Sequence, residues 1–277
     1  MKKLIDFDGL FEKKLKEYMA ENAGKYTEQQ WESLIPKLYK NFGDTFIKSA
    51  GNTPKGYYAE MTDDELVASL SAHFREGIPV SDFLCRELES RNCPEGLLVL
   101  MQDSDERLAE MAVDLAGDSA KAFSVYFQML KKGTKAKELI VERLLNNADA
   151  VKEFALGLYA EGIERESMLE LLSRCSEKDE HIFDILMKEF RTAAENLPMY
   201  AGYLAAYGDE RALPVLYVYI DREEINYLEY QELKYAIEAL GGEYTRERDF
   251  SNDPYYLEIS EQSQSLPDFM KDKKSEA

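Results

Sequence analysis

Helix-stopping residues recur along this chain in two interleaved series with nearly the same step, and that regularity restricts the fold more than any other feature. Runs of helical apolar spacing stop near residues 103, 133, 162, 192 and 221, and a second set stops near 117, 147, 175, 207 and 241. Both series advance by about thirty residues, a period typical of stacked helix pairs. One pair of amphipathic helices cannot bury its apolar stripe alone, so successive pairs shield one another.

One phrase is written twice. It reads Gly208-Asp209-Glu210-Arg211-Ala212-Leu213-Pro214-Val215-Leu216, followed by Ala236-Ile237-Glu238-Ala239-Leu240-Gly241. Its weaker echo is Glu95-Gly96-Leu97-Leu98-Val99-Leu100, followed by Ala112-Val113-Asp114-Leu115-Ala116-Gly117. Gly117 and Gly241 stand 124 residues apart, four steps of 31.

The intervening residues fill in the series. Leu4, Phe7, Phe11, Leu15 and Tyr18 predict a helix over 3–21, and Thr27 with Gln30 opens another that Gly43 stops. Two glycines and a proline between Ser49 and Tyr58 read as a connector. Helix pairs are then expected at 63–76 with 79–91, 94–102 with 104–116, and 119–132 with 135–146. Three more follow at 149–161 with 165–174, 178–191 with 193–207, and 209–220 with 227–240. No segment alternates with period two, so the chain is expected to be all-α, an α-solenoid of antiparallel helix pairs. Three regions result: 1–58 as a capping or docking region, 59–242 as repeats, and 243–277 as an acidic tail. Asn252-Asp253-Pro254 reads as a break, with Tyr255, Tyr256, Leu257 and Ile259 folding back as a cover and the rest of the tail mobile.

The doubled phrase resembles the short HEAT-like helical repeats also found in phycobilisome lyases. Asp209, Ala212, Leu213, Leu216, Ala236, Leu240 and Gly241 match the capping acid, the alternating small and large core residues and the closing Leu-Gly of that family. The match is best over 208–242, weaker over 94–117 and only periodic between them; 1–58 and 243–277 lie outside it. The resemblance implies a superhelix of stacked pairs. It leaves function open, because such repeats occur in scaffolds, lyases and DNA repair enzymes alike.

Charge narrows the choice. Against 34 Lys and Arg stand 54 Asp and Glu, a net of −20. Residues 1–57 carry net +2, 58–207 carry −13 and 208–277 carry −9. Nucleic acid binding rests on neutralised phosphates, so this balance argues against it and against anionic membranes, and points to a protein or peptide with a basic surface. With no signal-like N-terminus, no long apolar run and three cysteines at no metal spacing, a cytoplasmic protein is expected.

No catalytic, cofactor-binding or metal-binding constellation stands out. His73 and His181 lie far apart without a ligand at helical spacing, and the acidic clusters fall at helix starts, where they cap free amides. Cys93 before Pro94 is a candidate reactive thiol, because a helix N-terminus favours the thiolate. Eighteen tyrosines give the best binding signal. Met199, Tyr203 and Tyr235 fall off the apolar stripes of their helices and are candidate partner-binding residues in a groove; the same pattern also suits inter-repeat packing. The leading expectation is a non-catalytic scaffold or adaptor, the alternative a lyase-type enzyme or cofactor-handling protein on the same repeats.

Overall fold

The computed structural model describes residues 2–193 and 196–265, and among these every regular element is helical. An isolated bridge between Ile47 and Asn52 is the one extended pairing among them. The chain divides in sequence between Asn147 and Ala148 into two compact units.

The first unit holds α1 (Phe7–Glu21), α2 (Glu28–Phe42), α3 (Pro54–Ala59), α4 (Asp63–Glu76), α5 (Asp82–Ser90), α6 (Glu95–Leu100), α7 (Glu106–Ala116), α8 (Phe123–Lys132) and α9 (Lys137–Leu145). The second holds α10 (Ala148–Glu161), α11 (Arg165–Ser173), α12 (Glu180–Thr192), α13 (Leu197–Tyr207), α14 (Leu213–Ile220), α15 (Tyr227–Ala239) and α16 (Pro254–Ser265). A short 3₁₀ turn, Glu210–Ala212, precedes α14 because Asp209 accepts the Arg211 amide and starts the chain turning before Pro214.

Local chemistry sets these boundaries. Thr27, Thr62 and Asn226 each close a capping box with the Gln or Glu three residues on. Two helices were not expected from the sequence. The 49–58 connector contains α3, because Thr53 accepts the Gly56 amide and Pro54 occupies the first helical position, where its missing N–H is harmless. Asn252-Asp253-Pro254 likewise starts α16: Asp253 accepts the amides of Tyr255 and Tyr256. Tyr256 then packs edge-on against Tyr227 at 5.1 Å. Residues 266–277, the rest of the expected mobile tail, lie outside the described residues.

Many side chains meet at offsets of 28 to 31 residues along the sequence. In the first unit Arg91 reaches Asp63 at 3.2 Å, 28 residues away, and Arg143 reaches Asp114 at 2.9 Å, 29 residues away. In the second, Tyr159 donates to Glu189 across 30 residues, Arg211 to Glu180 across 31, and the Tyr219 hydroxyl to the Arg191 carbonyl across 28. Helix packing has the same character: α4 lies on α6, α5 on α7, α7 on α9, α11 on α13 and α13 on α15. The N-terminal residues depart from this spacing. Lys2 reaches the Tyr57 carbonyl across 55 residues, and Ser81 reaches Asp8 across 73. With the Phe7 ring 5.6 and 5.7 Å from those of Tyr57 and Tyr58, these contacts seat the N-terminal residues and the start of α1 on α3 and the start of α5.

The closing glycine of the doubled phrase is a conformational requirement. Gly241 has φ +81°, and the following amide, Gly242 N–H, donates back to Ile237 at 2.9 Å, closing α15. A Cβ at Gly241 would meet nothing within 4 Å, so only the backbone resists substitution. Gly241→Ala is expected to destabilise the second unit by about 1–2 kcal/mol. Gly157→Ala, exposed within α10 and equally free of neighbours, is expected to stabilise it by about 0.5–1 kcal/mol. Urea unfolding of the two variants should give opposite signs.

Candidate functional site

The three aromatic-surface candidates occupy different environments. Tyr235, on α15, is 62% exposed and has no hydrogen bond or ring partner among the described residues. Met199 and Tyr203, on α13, are half-buried. Tyr203 stands edge-on to Tyr200 at 5.9 Å, and its hydroxyl lies 3.5 Å from the Glu166 carbonyl. Burial pushes that hydroxyl up to about 12. Since α13 packs on α15, the three residues belong to neighbouring helices of one unit.

Most tyrosine hydroxyls are spent internally. Tyr126 donates to the carbonyls of Val113 and Gly117 at 3.1 and 2.7 Å. Tyr207 donates to Asp179 O at 3.0 Å and accepts the Asp179 amide at 2.6 Å. Tyr217 and Tyr230 donate to the carbonyls of Glu243 and Arg246. In each case a long amphipathic side chain fills a gap between helices and satisfies a backbone group where a neighbouring helix ends or a turn begins. The richness in tyrosine therefore has a structural origin at these positions, whereas Tyr235 and Tyr255 stay 62% and 49% exposed.

Near Tyr200, the ring partner of Tyr203, lies a charged cluster drawn from separated segments. Glu189 of α12 is buried; its Oε1 accepts from Arg165 at 2.5 Å and from Tyr159 at 2.7 Å. The Arg165 guanidinium also stacks 4.8 Å from the Tyr159 ring centroid. Burial alone would raise the Glu189 carboxyl, but the hydrogen bonds from Arg165 and Tyr159 and the guanidinium charge hold it below the ordinary carboxylate range. Arg165 is placed by Glu164, a non-glycine residue at φ +46° that starts α11. The sequence signal was present: Glu189 falls among the core-facing Ile185, Leu186 and Phe190 of α12, where an acid needs a partner.

Cys93 is enclosed at 2% exposure. Asn92 and Cys93 both have positive φ, 53° and 55°, and α6 begins at Glu95 with Pro94 as its cap. Burial pushes the Cys93 thiol up, against smaller opposing effects from Ser119 and Lys121. That direction is opposite to the thiolate stabilisation expected at a helix start, because loss of water around the thiol outweighs what Ser119 and Lys121 return. Cys85 and Cys175 are likewise pushed by burial to about 11. His73 is buried with Nδ1 2.8 Å from the Pro79 carbonyl, whereas His181 is exposed on the first turn of α12. Among the described residues no group of three or more His, Cys, Asp or Glu side chains is placed to hold a metal ion.

The first unit contains a hollow of about 460 Å³ between α2, α3 and α5. Tyr39 and Phe83 form its aromatic wall, their rings 4.8 Å apart and 12° from parallel. Lys40, Lys55 and Arg86 stand around it. These residues come from separated segments, so no sequence motif announces the hollow.

No described helix is long and apolar enough to cross a membrane. No family model matches the chain, and no curated protein or solved structure matches it.

Proposed function

We propose that the chain is a non-catalytic binding module, an α-solenoid of HEAT-like helix pairs that presents an acidic, tyrosine-containing surface to a protein or peptide with a basic face. The repeat reading is supported by the side-chain contacts at offsets of 28 to 31 residues, since in a solenoid each unit touches only its neighbours. The binding reading is carried by one observation: Tyr235 and Val218, on helices whose other faces are buried, remain 62% and 63% exposed. Large rigid aromatics left in water at low entropy cost are good anchors for a partner, and the net charge of −20 steers basic ones. Met199 and Tyr203 extend the candidate surface on α13.

The test uses Met199→Ala/Tyr235→Ala in the full chain, sparing Tyr203 because its ring packs on Tyr200. Chemical cross-linking and affinity recovery at about 50 and 200 mM salt should recover partners with the wild-type chain at low salt and fewer at high salt. The folded double variant should recover at least tenfold less. A variant that keeps all partners at wild-type levels would remove this surface from the proposal.

A further inference from the structure

We propose that the hollow between α2, α3 and α5 is a binding site for a small planar organic anion, of which an aromatic carboxylate is the simplest member. The site belongs to the first unit and stands independently of the partner surface on α13 and α15.

Its aromatic wall is held in place. The Tyr39 hydroxyl donates to Asp8 at 2.7 Å, and Asp8 also lies 3.4 Å from the Ser81 hydroxyl, so the ring is tied from behind while its plane stacks on Phe83. Pro36 adds a rigid apolar surface beside it. Phe83 is itself only 6% exposed, so the half-buried Tyr39 and the exposed Pro36 present the wall to a flat ligand, and its fixed position spares the entropy of ordering side chains on binding.

Gly43 makes the arrangement sterically possible. It has an ordinary helical backbone, φ −56°, that any residue adopts. A Cβ there would lie 2.6 Å from Phe83 Cε1 and 2.8 Å from Lys55 Cε. Glycine therefore provides room for the ring and for the lysine stem, not a special conformation.

Three cations ring the hollow in a chain of net −20. Lys40 is exposed and has no partner among the described residues. Lys55 pairs with Asp44 at 2.6 Å and Arg86 with Asp82 at 2.7 Å, but all four side chains are well exposed. Exposed pairs are worth little, so a ligand anion competes for these cations at small cost. Glu87, the one acid lining the hollow, is held by Arg91 at 2.6 Å. Lys40 thus offers unpaired charge, while Lys55 and Arg86 can exchange an exposed carboxylate for a ligand's.

Size decides between a small ligand and a larger one. Pockets for small molecules span roughly 300–1,000 Å³, and 460 Å³ lies low in that range. It accommodates one bicyclic aromatic acid and is too small to seat a helix.

Titration calorimetry on the full chain with 1-naphthoate and its neutral counterpart 1-naphthamide tests the assignment. Naphthoate is expected to bind one site at least tenfold tighter than naphthamide. Lys40→Gln/Lys55→Gln/Arg86→Gln alters only exposed side chains and should unfold at the wild-type denaturant midpoint while losing that tenfold preference. Gly43→Ala should weaken both probes by pushing Phe83 and Lys55 into the hollow. Equal affinity for the two probes, a preference that survives in the triple variant, or no naphthoate binding at millimolar concentration would each overturn the proposal. So would an acetylated Asp-Phe-Asp peptide binding more than tenfold tighter than naphthoate, which would reassign the hollow to peptide docking.

Discussion

Replacing Tyr207 by alanine is expected to destabilise the second unit by about 3–5 kcal/mol, the range for removing a buried aromatic side chain. Tyr207 is 1% exposed at the end of α13, and it fastens that helix to the start of α12 in three ways. Its hydroxyl exchanges hydrogen bonds with the amide and carbonyl of Asp179, 28 residues earlier. Its carbonyl accepts from the Lys178 ammonium, and that ammonium sits 4.4 Å from the centroid of its ring. Alanine would leave a cavity and strand the Asp179 backbone groups together. Tyr207→Phe keeps the ring and isolates the hydroxyl, for an expected loss of about 1–2 kcal/mol. Tyr235→Ala, on the exposed face of α15, should stay within about 0.5 kcal/mol of wild type. Urea unfolding followed by circular dichroism orders the three variants; an alanine variant no weaker than the phenylalanine one would show that the ring is not a packed element.

Removing Arg165 is expected to invert part of the acid response of the same unit. In the wild-type chain the Glu189 carboxyl lies below its unfolded value of roughly 4.3, so its contribution to stability is complete above that pH and is lost as pH falls through the lower folded value. Arg165→Met leaves the buried carboxylate with Tyr159 as its only hydrogen-bond donor of the two. Burial then dominates and pushes the carboxyl above its unfolded value, so the variant is least stable at neutral pH and recovers as Glu189 takes up a proton. Arg165 is half-exposed, which reduces the expected loss at pH 7 to about 1–2 kcal/mol. Glu189→Gln in the Arg165→Met background should restore much of that loss and abolish the recovery on acidification. Unfolding free energies at several pH values between 4 and 7 measure both effects. Parallel profiles for wild type and Arg165→Met would mean that the ion pair does not set the ionisation of Glu189.

Much of the helical layout was legible because its determinants are local. The pair Thr62 and Glu65 marks the start of α4, and its end at Glu76 follows from Gly77. The same local chemistry starts α3 and α16: Thr53-Pro54 and Asp253-Pro254 are both a cap followed by a first-position proline. The Glu189 cluster was partly legible too, since an acid on the core face of α12 demands a partner, but Arg165 lies 24 residues away and no local rule selects it.

The sequence by itself determined the helical content, the step between successive helix stops and the acidity, because breakers, caps and composition act within a turn or two of chain. Only the tertiary structure decided which tyrosines are fasteners and which face water. Tyr207 and Tyr235 look alike in sequence; one is closed between helices and the other is open, and burial depends on what packs opposite. It also decided that Cys93 is enclosed and that α1 sits on α3 and α5. The hollow walled by Tyr39 and Phe83 exists for the same reason: residues 44 positions apart become neighbours only when helices pack, and Gly43 matters there for an atom it lacks.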